Sequence, residues 1–197
     1  MYVFARCAEP GCRKAAFAGL PTCLLHSPAT AAADAGSRLE SSEDHRDLAF
    51  TGATFEGLNL TRKRFYGCSF MGTTLRSVLF TNSVFRLCFF DEAVIDACDF
   101  SHADAQFCSF GGARLVNSSF ENSEFLHDSF VGASITECTF NKSNLYNSRF
   151  VGCELIRSDF MDCNLKRVFL IPAKEETINY KYSNTMEAIR DVEHVYI

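Results

Sequence analysis

The sequence predicts an all-β protein in which a quadrilateral β-helix of about six coils joins a small N-terminal metal-binding module to a C-terminal capping helix. Three observations lead to this prediction. Every fifth residue from Phe50 to Leu170 is apolar. The residue two places before each of these is mostly small. Three cysteines and a histidine lie together before this repeat begins.

Composition limits the classes of protein to which the chain can belong. Its 197 residues are 47% apolar, enough for a core, and the net charge of −5 lacks the basic excess typical of nucleic-acid binders. The opening MYVFARCAEPGC does not have the pattern of a secretory signal, and no apolar run approaches the roughly 20 residues that span a bilayer. We therefore expect a cytoplasmic protein without membrane or nucleic-acid partners, whose cysteines stay reduced.

Residues 1–28 are predicted to form a zinc-binding module. The four candidate ligands, spaced C-x4-C-x10-C-x2-H, are Cys7, Cys12, Cys23 and His26. This arrangement resembles small three-Cys, one-His modules that are found fused to other domains. Three thiolates and an imidazole suit tetrahedral Zn²⁺, and a ligand set filled by protein favours a structural ion over a catalytic one. Four unrelated residues are the alternative interpretation. The polar, Ala/Ser-rich residues 29–46 are predicted to be a linker.

Residues 47–171 are predicted to form the β-helix. A period of five fits neither an α-helix nor a long strand. Residues two apart on an extended segment face the same side, so each small residue and the large residue after it both point inward. The remaining two positions turn the chain. Gly or Asn often stands two residues after the large one, as at Gly52 and Asn82, because these residues tolerate the positive φ of a tight corner.

Four such units close a square coil of about 20 residues, and stacked coils bury one another's faces. Residues 20 apart then form columns. Two opposite walls have phenylalanine ladders, Phe50, Phe70, Phe90, Phe110, Phe130 and Phe150 on one and Phe80, Phe100, Phe120, Phe140 and Phe160 on the other. Large rings from two walls fill the bore, which argues against a ligand cavity and against an enzyme.

The units are close to [S/C/A]-x-[F/L]-x-x, as in Ala113-Arg114-Leu115 and Ser143-Asn144-Leu145. This pattern resembles the pentapeptide-repeat family, whose units read approximately A(D/N)LXX, and the resemblance covers residues 48–170. It implies a right-handed quadrilateral β-helix. Some members of the family mimic DNA and bind type II topoisomerases, so it also implies an alternative function as a DNA-mimic modulator of gyrase. Such mimicry needs a long acidic surface.

An acidic belt is present, but it is short. Residues 91–137 have nine acids and one base, and basic residues flank this segment on both sides. The belt covers only about two coils, roughly 11 Å of the rod. An ordinary solvated acidic face is therefore favoured over DNA mimicry.

Seven of the ten cysteines occupy the small inward position, where a buried thiol of low reactivity replaces Ala or Ser; they are Cys68, Cys88, Cys98, Cys108, Cys138, Cys153 and Cys163. Asp128 occupies the same kind of position. Two interpretations of Asp128 stay open at this point. Its carboxyl group is either satisfied by backbone N–H groups or is a buried functional acid.

One corner of the predicted coil has apolar and aromatic residues on its outside. The candidate partner-binding residues there are Leu87, Phe107, Leu126, His127 and Tyr146. Ala105 is the one small residue in the large inward position. Phe107 therefore either swings inward to fill the gap that Ala105 leaves, or stays outside as part of a binding patch. Burial of Phe107 would contradict the patch.

Residues 172–197 leave the period of five and are predicted to cap the last coil. Asn184-Thr185-Met186-Glu187 resembles a capping box that opens a short helix with an apolar stripe. A homodimer contact through residues 184–197 is the alternative. Together these features predict a non-catalytic protein-interaction or scaffold module, a rigid rod whose surface binds a protein partner that the sequence does not identify.

Overall fold

The computed structural model describes residues 4–191. They form a right-handed β-solenoid of about seven turns, preceded by one α-helix, α1 (Ala31–Ser41). Each strand has three residues. The strands are β1 (Asp44–Arg46), β2 (Thr54–Glu56), β3 (Arg64–Tyr66), β4 (Thr74–Arg76), β5 (Val84–Arg86), β6 (Val94–Asp96), β7 (Asp104–Gln106), β8 (Arg114–Val116), β9 (Glu124–Leu126), β10 (Ser134–Thr136), β11 (Arg149–Val151), β12 (Glu154–Ile156), β13 (Phe169–Ile171) and β14 (Lys174–Glu176).

The strands stack in parallel with a register of 20 residues, as in the pairs Phe65↔Phe85 and Leu75↔Ile95. One wall is a five-stranded sheet in the order β1-β3-β5-β7-β9. The opposite wall is a seven-stranded sheet in the order β14-β12-β10-β8-β6-β4-β2, and β11 pairs with β13. Single parallel bridges such as Ser69↔Phe89 and Leu79↔Asp99 form the two remaining walls. The square coil predicted from the period is therefore confirmed, with one turn more than predicted.

Each wall up to the one that contains Leu165 ends at a corner where one residue adopts positive φ. Where the corner is a hydrogen-bonded turn, the N–H of the third residue after the large one donates to its carbonyl, as from Ala53 to Phe50 at 3.0 Å. Glycine occupies several corners, for example Gly52 with φ of 75°. Bulky residues adopt the same conformation at others, including Leu87 with φ of 55° and Phe107 with φ of 56°. Because a positive φ directs these side chains away from the bore, Leu87 and Phe107 face solvent.

The core consists of the large inward residues, and all of them from Phe50 to Leu170 are buried. Along one wall, neighbouring rings stack with centroids 4.6 Å to 5.0 Å apart, as in Phe50–Phe70 and Phe130–Phe150. Rings from the opposite ladder meet these edge to face; the centroids of Phe70 and Phe80 are 6.4 Å apart. The bore is therefore filled by aromatic packing rather than open.

Ala105 interrupts the column of Phe65, Phe85 and Phe125. The rings on either side of the gap are tilted against their neighbours, by 44° between Phe85 and Phe100 and by 50° between Phe110 and Phe125. The suggestion that Phe107 fills the gap is wrong, because Phe107 is 55% exposed.

The segment 29–46 is not a linker. Most of it is α1, whose residues Ala31, Ala35 and Leu39 are buried and follow the spacing of one helical face. This face covers the open end of the first coil. The next segment already belongs to the solenoid, because His45 takes a large inward position and stacks on Phe65 with centroids 4.9 Å apart. The solenoid thus begins at Asp44 rather than at residue 47.

The C-terminal boundary also differs from the prediction. The coil continues past residue 171 through β14, and Ile189 still forms a parallel bridge with Phe169. The sequence predicted a short helix that begins near Asn184. Over residues 184–191 the structure has only a single 3-10 turn, Thr185–Glu187. The rest of the predicted helix and dimer segment, 192–197, lies outside the described residues, so the homodimer contact stays a prediction. Over residues 4–191 there is no helix long and apolar enough to cross a membrane.

Candidate metal centre and corner patch

The structure brings the four predicted metal ligands together. One ligand atom from each of Cys7, Cys12, Cys23 and His26 lies within 4.8 Å of the others. His26 Nδ1 is 3.3 Å from Cys7 Sγ and 3.5 Å from Cys23 Sγ, and Cys12 Sγ is 3.9 Å from Cys23 Sγ. This Cys3His cluster is compact enough to hold one metal ion.

Short backbone elements position these ligands. Cys7 lies on a hairpin in which Arg6 bridges Ala15 and the Cys7 N–H donates to the Lys14 carbonyl at 2.9 Å. A turn closed by the Cys12 N–H and the Glu9 carbonyl brings Cys12 back towards Cys7. Cys23 directly precedes the 3-10 turn Leu24–His26, and His26 is the last residue of that turn. Since the turns are local, the spacing of the four residues in the sequence was sufficient to predict the cluster.

The environment of the cluster favours the thiolate form of Cys7 but not of Cys12, whose pKa is raised by the neighbouring thiols Cys7 and Cys23 and by desolvation. Cys7 and Cys23 are buried, and Cys12 is half-buried. Desolvation of Cys7 opposes ionisation, but hydrogen bonds from the Cys23 backbone and from His26 outweigh it and lower the pKa of Cys7 to about 6. Thiolate sulfur and neutral imidazole are the forms that bind a transition metal.

The seven repeat cysteines have the opposite environment. All are buried free thiols in the small inward position. Burial raises the pKa of Cys98 and Cys163 to about 11, and that of Cys138 and Cys153 to about 12. They are core residues, as the period predicted.

Asp128 is buried in the same column as Cys108 and Ser148. Its Oδ1 accepts from the Cys108 N–H at 2.6 Å, and its own N–H donates to Ser148 Oγ at 2.9 Å. Oδ2 has no hydrogen-bond partner among residues 4–191. Desolvation raises the pKa of Asp128 well above its usual value, although the Cys108 N–H and the charge of Arg86 oppose this shift. A backbone N–H thus satisfies Oδ1, as one of the two interpretations expected, while Oδ2 is left without a hydrogen bond from the described part of the chain.

The corner patch consists of Leu87, Phe107, Leu126, His127 and Tyr146. Leu87 is 50% exposed and Phe107 is 55% exposed. The rings of Phe107 and His127 stack with centroids 5.0 Å apart, and His127 meets Tyr146 edge to face at 5.7 Å. Leu126 is half-buried. Burial of Phe107 would have contradicted a binding patch at this corner, but the ring is exposed. Partner binding by these residues stays a prediction.

The acidic belt is weaker in the structure than its sequence suggests. Asp128 is inside the core. Asp104 forms an ion pair with Arg86 at 2.5 Å, and Glu137 forms one with Arg157 at 2.8 Å. Three of the nine acids are therefore buried or paired with a base.

A groove of about 630 Å³ between the Cys3His cluster and the rod was not predicted from the sequence. It is lined on one side by Phe4, Lys14, Ala15, Cys23, Leu24 and Leu25, and on the other by Thr51, Gly52, Ser69, Met71 and Phe89. The available signal was the apolar character of Met71 and Phe89 at outward positions. Only the fold shows that the N-terminal module lies opposite them.

Comparison with known proteins identifies the repeat. A family model described as "Pentapeptide repeat region" matches residues 103–179, and one described as "Pentapeptide repeats (8 copies)" matches residues 50–86. Together the two matches cover more than half of the 197 residues. A search of curated proteins finds no match.

Solved structures of similar architecture include QnrB1, a plasmid-mediated fluoroquinolone resistance protein, at 13% identity and a TM-score of 0.43, covering 77% of this chain and 86% of that chain. A pentapeptide repeat protein from the Arabidopsis thaliana thylakoid lumen has 20% identity and a TM-score of 0.34, with 54% of this chain and 64% of that chain covered. HetL from the cyanobacterium Nostoc has 12% identity and a TM-score of 0.28, with 83% and 94% covered. On the two family matches and the coil geometry, the chain belongs to the pentapeptide-repeat family.

Proposed function

We propose that this chain is a non-catalytic protein-interaction module that presents the corner patch on a rigid rod to a protein partner. The observation that carries the proposal is the exposure of Leu87 and Phe107 at consecutive levels of one corner. Exposed apolar side chains that stack into a column are typical of protein-binding surfaces. The filled bore supports a surface role, because it leaves the solenoid interior without room for a ligand.

The proposal is tested by affinity capture from the source cell followed by mass spectrometry. We compare the wild-type protein with Phe107→Glu and with Tyr182→Glu as the matched control. Tyr182 is also an exposed aromatic residue with positive φ, 77% exposed and with φ of 67°, but it lies near the other end of the rod. A partner retained by the wild type and by Tyr182→Glu, but lost with Phe107→Glu, supports the proposal. Identical retention by all three proteins contradicts it.

DNA-mimic modulation of gyrase is the alternative, and it uses a different surface. Purified gyrase is therefore included as a separate bait for the wild-type protein. Gyrase bound in a manner that Phe107→Glu leaves unchanged would favour the alternative. No binding of gyrase removes it.

We also propose that the Cys3His cluster binds structural Zn²⁺. Three sulfur ligands and one nitrogen ligand within 4.8 Å support zinc over the hard cations Ca²⁺ and Mg²⁺, which prefer oxygen. The free thiols elsewhere in the chain support function in a reducing compartment such as the cytoplasm. Native mass spectrometry should give a mass of one polypeptide plus one zinc ion. A mass of the bare polypeptide, with Cys7 and Cys12 readily alkylated, would refute zinc binding.

A further inference from the structure

The groove between the cluster and the rod has an apolar lining contributed by both sides. From the rod, Met71 is 43% exposed and Phe89 stands at an outward position of the same wall. From the module, Leu25 is 71% exposed. Phe4 meets Phe89 edge to face with ring centroids 6.4 Å apart, which joins the two sides. The volume of about 630 Å³ is enough for several large side chains.

The module side of the groove is formed by the segments that hold the candidate metal ligands. Leu24 and Leu25 stand between the ligands Cys23 and His26, and the His26 N–H donates to the Cys23 carbonyl at 2.9 Å. Lys14 follows the ligand Cys12 by two residues, and its carbonyl accepts from the Cys7 N–H. An ion that joins the four ligands therefore fixes the two segments that form this wall.

The hairpin that contributes Lys14 to the rim of the groove is basic. Lys14 lines the groove, and Arg6 and Arg13 are exposed on the same hairpin. None of the three belongs to an ion pair found among residues 4–191. The hairpin has one exposed acid, Glu9, at its turn. Such a hairpin attracts negatively charged segments.

The groove is continuous with the corner patch along the chain. Phe89 follows Leu87 by two residues on the same coil, and Phe107 stacks one coil above Leu87. A segment long enough to extend beyond Phe89 along this coil would therefore reach Leu87 and the corner patch. This placement favours an extended polypeptide over a small molecule.

We propose that the groove is the docking site for a peptide segment of a protein partner, with two or more large apolar residues flanked by Asp or Glu, and that metal on the Cys3His cluster is required to form it. The inference rests on the proposed interaction function and names the chemistry of the partner. Apolar side chains occupy the space between Leu25, Met71 and Phe89. The acidic residues pair with Lys14 and the neighbouring arginines.

The test is selection of a phage-displayed random peptide library on the full-length, zinc-loaded protein. A fluorescein-labelled copy of the most enriched peptide is then measured by fluorescence anisotropy. We expect apolar peptides with acidic flanks, whose affinity falls about tenfold or more with Leu25→Glu or with Met71→Glu. Both residues are exposed, so these variants should fold; circular dichroism checks this. Tyr182→Glu, at the far end of the rod, should bind like the wild type. Chelation should weaken binding, and added Zn²⁺ should restore it.

Three outcomes would overturn the inference: no enriched sequence, enriched peptides that bind Leu25→Glu and Met71→Glu as tightly as the wild type, or binding that chelation does not change. Peptides that bind Leu25→Glu but not Phe107→Glu would place the site on the corner patch alone. In that case the docking groove fails while the proposed interaction function stands. Loss of partner capture with Leu25→Glu but not with Phe107→Glu would support the docking groove and contradict binding through the corner patch.

Discussion

At the scale of single residues, the corners determine which side chains the rod presents. From His45 to Leu165, the residue two places after each large inward residue has positive φ whether it is Gly, Asn, Leu or Phe. For a residue with a Cβ, this conformation costs roughly 1–2 kcal/mol. Phe107 thus has an unfavourable backbone conformation and an exposed ring at the same time. The other non-glycine corners share this conformation, so the exposed ring, rather than the positive φ, is the feature that fits the proposed binding patch.

The first prediction separates stability from binding at this corner. Phe107→Gly should leave the free energy of unfolding unchanged or raise it by up to about 1 kcal/mol, because relief of the positive φ slightly exceeds the entropic cost of glycine. The same variant should lose the partner in the capture assay. Ala97→Gly, at an exposed corner with φ of 52°, is the control and should keep it. A loss of more than about 2 kcal/mol in Phe107→Gly would instead show that the ring is needed for packing.

Asp128 shows how one inward position can hold a charge-bearing group. Its neighbours in the column are cysteines and a serine, which donate to backbone carbonyls, as Ser148 Oγ does to Phe125. Within residues 4–191, Asp128 Oδ2 has no such carbonyl partner, so an ionised carboxylate would be a buried charge with only the hydrogen bond from the Cys108 N–H. Burial raises its pKa, so the folded state holds the proton more tightly than the unfolded state does.

The second prediction follows from this proton. Above the unfolded pKa of about 3.9, the unfolded chain releases the proton while the folded protein keeps it. Stability therefore falls as pH rises, by up to about 1.4 kcal/mol per pH unit, until the pH reaches the folded pKa. Asp128→Asn removes this dependence and should be more stable than the wild type at neutral pH, with the difference vanishing near pH 4. Thermal melts from acid to neutral pH measure it, with Asp162→Asn at an exposed corner as the control. A constant difference across that range would contradict a protonated Asp128.

At the scale of elements, stability resides in the stacked columns rather than in individual strands, since three residues are too few to form a stable strand alone. Phe120 lies in the middle of one ladder. Its centroid is 5.0 Å from that of Phe100 and 4.6 Å from that of Phe140. Each ring therefore buries the faces of the rings above and below it.

The third prediction concerns this ladder. Phe120→Ala should lower the free energy of unfolding by roughly 3–5 kcal/mol, because the lost contacts leave a cavity that stacked coils cannot close. Phe107→Ala, which removes a ring of the same size from an exposed corner, should cost less than about 1 kcal/mol. Denaturant unfolding measures both. Equal melting temperatures for the wild type and Phe120→Ala would contradict the ladder.

At the scale of the whole molecule, the sequence was sufficient to predict the fold wherever the residue type at each large position shows that the position is buried. From Phe50 to Leu170 every large position is apolar, so period, walls and columns could be predicted. Beyond these bounds His45 and Glu175 occupy large positions without being apolar, and the period was lost although the coil continues. Helix α1 was missed because its face of small residues is meaningful only against the end of the first coil. The groove was missed for the same reason.

The N-terminal module is attached to the rod through few but specific contacts. Phe17 meets Phe50 edge to face at 6.2 Å, and the Ala18 N–H donates to the Ala49 carbonyl at 2.7 Å. The Arg38 guanidinium of α1 donates to the Ala18 carbonyl. These contacts hold one end of the module. In the segments with the four candidate ligands only Cys7 and Cys23 are buried, so under the proposed zinc binding these segments would depend on the ion.

The fourth prediction is that chelation acts locally. A zinc chelator should accelerate hydrogen exchange of the amides in residues 5–14 and 23–26, because the hairpin and the 3-10 turn lose their common anchor. Amides of residues 100–140, which pair between coils, should exchange at an unchanged rate. Hydrogen-exchange mass spectrometry measures both regions in one experiment. Unchanged protection of residues 5–14 after the zinc has been removed would show that the module folds without it.

The 20-residue register has a consequence for how such a chain can change over evolution. A large inward residue occurs every five residues, whereas residues that are stacked on neighbouring coils are 20 residues apart in the sequence. Gain or loss of five residues would leave all large residues inside, but every later column would move to the next wall. Gain or loss of 20 would preserve the columns and lengthen or shorten the rod. Duplication of single units therefore redistributes surface residues such as Leu87 and Phe107 among the walls, while the core remains intact.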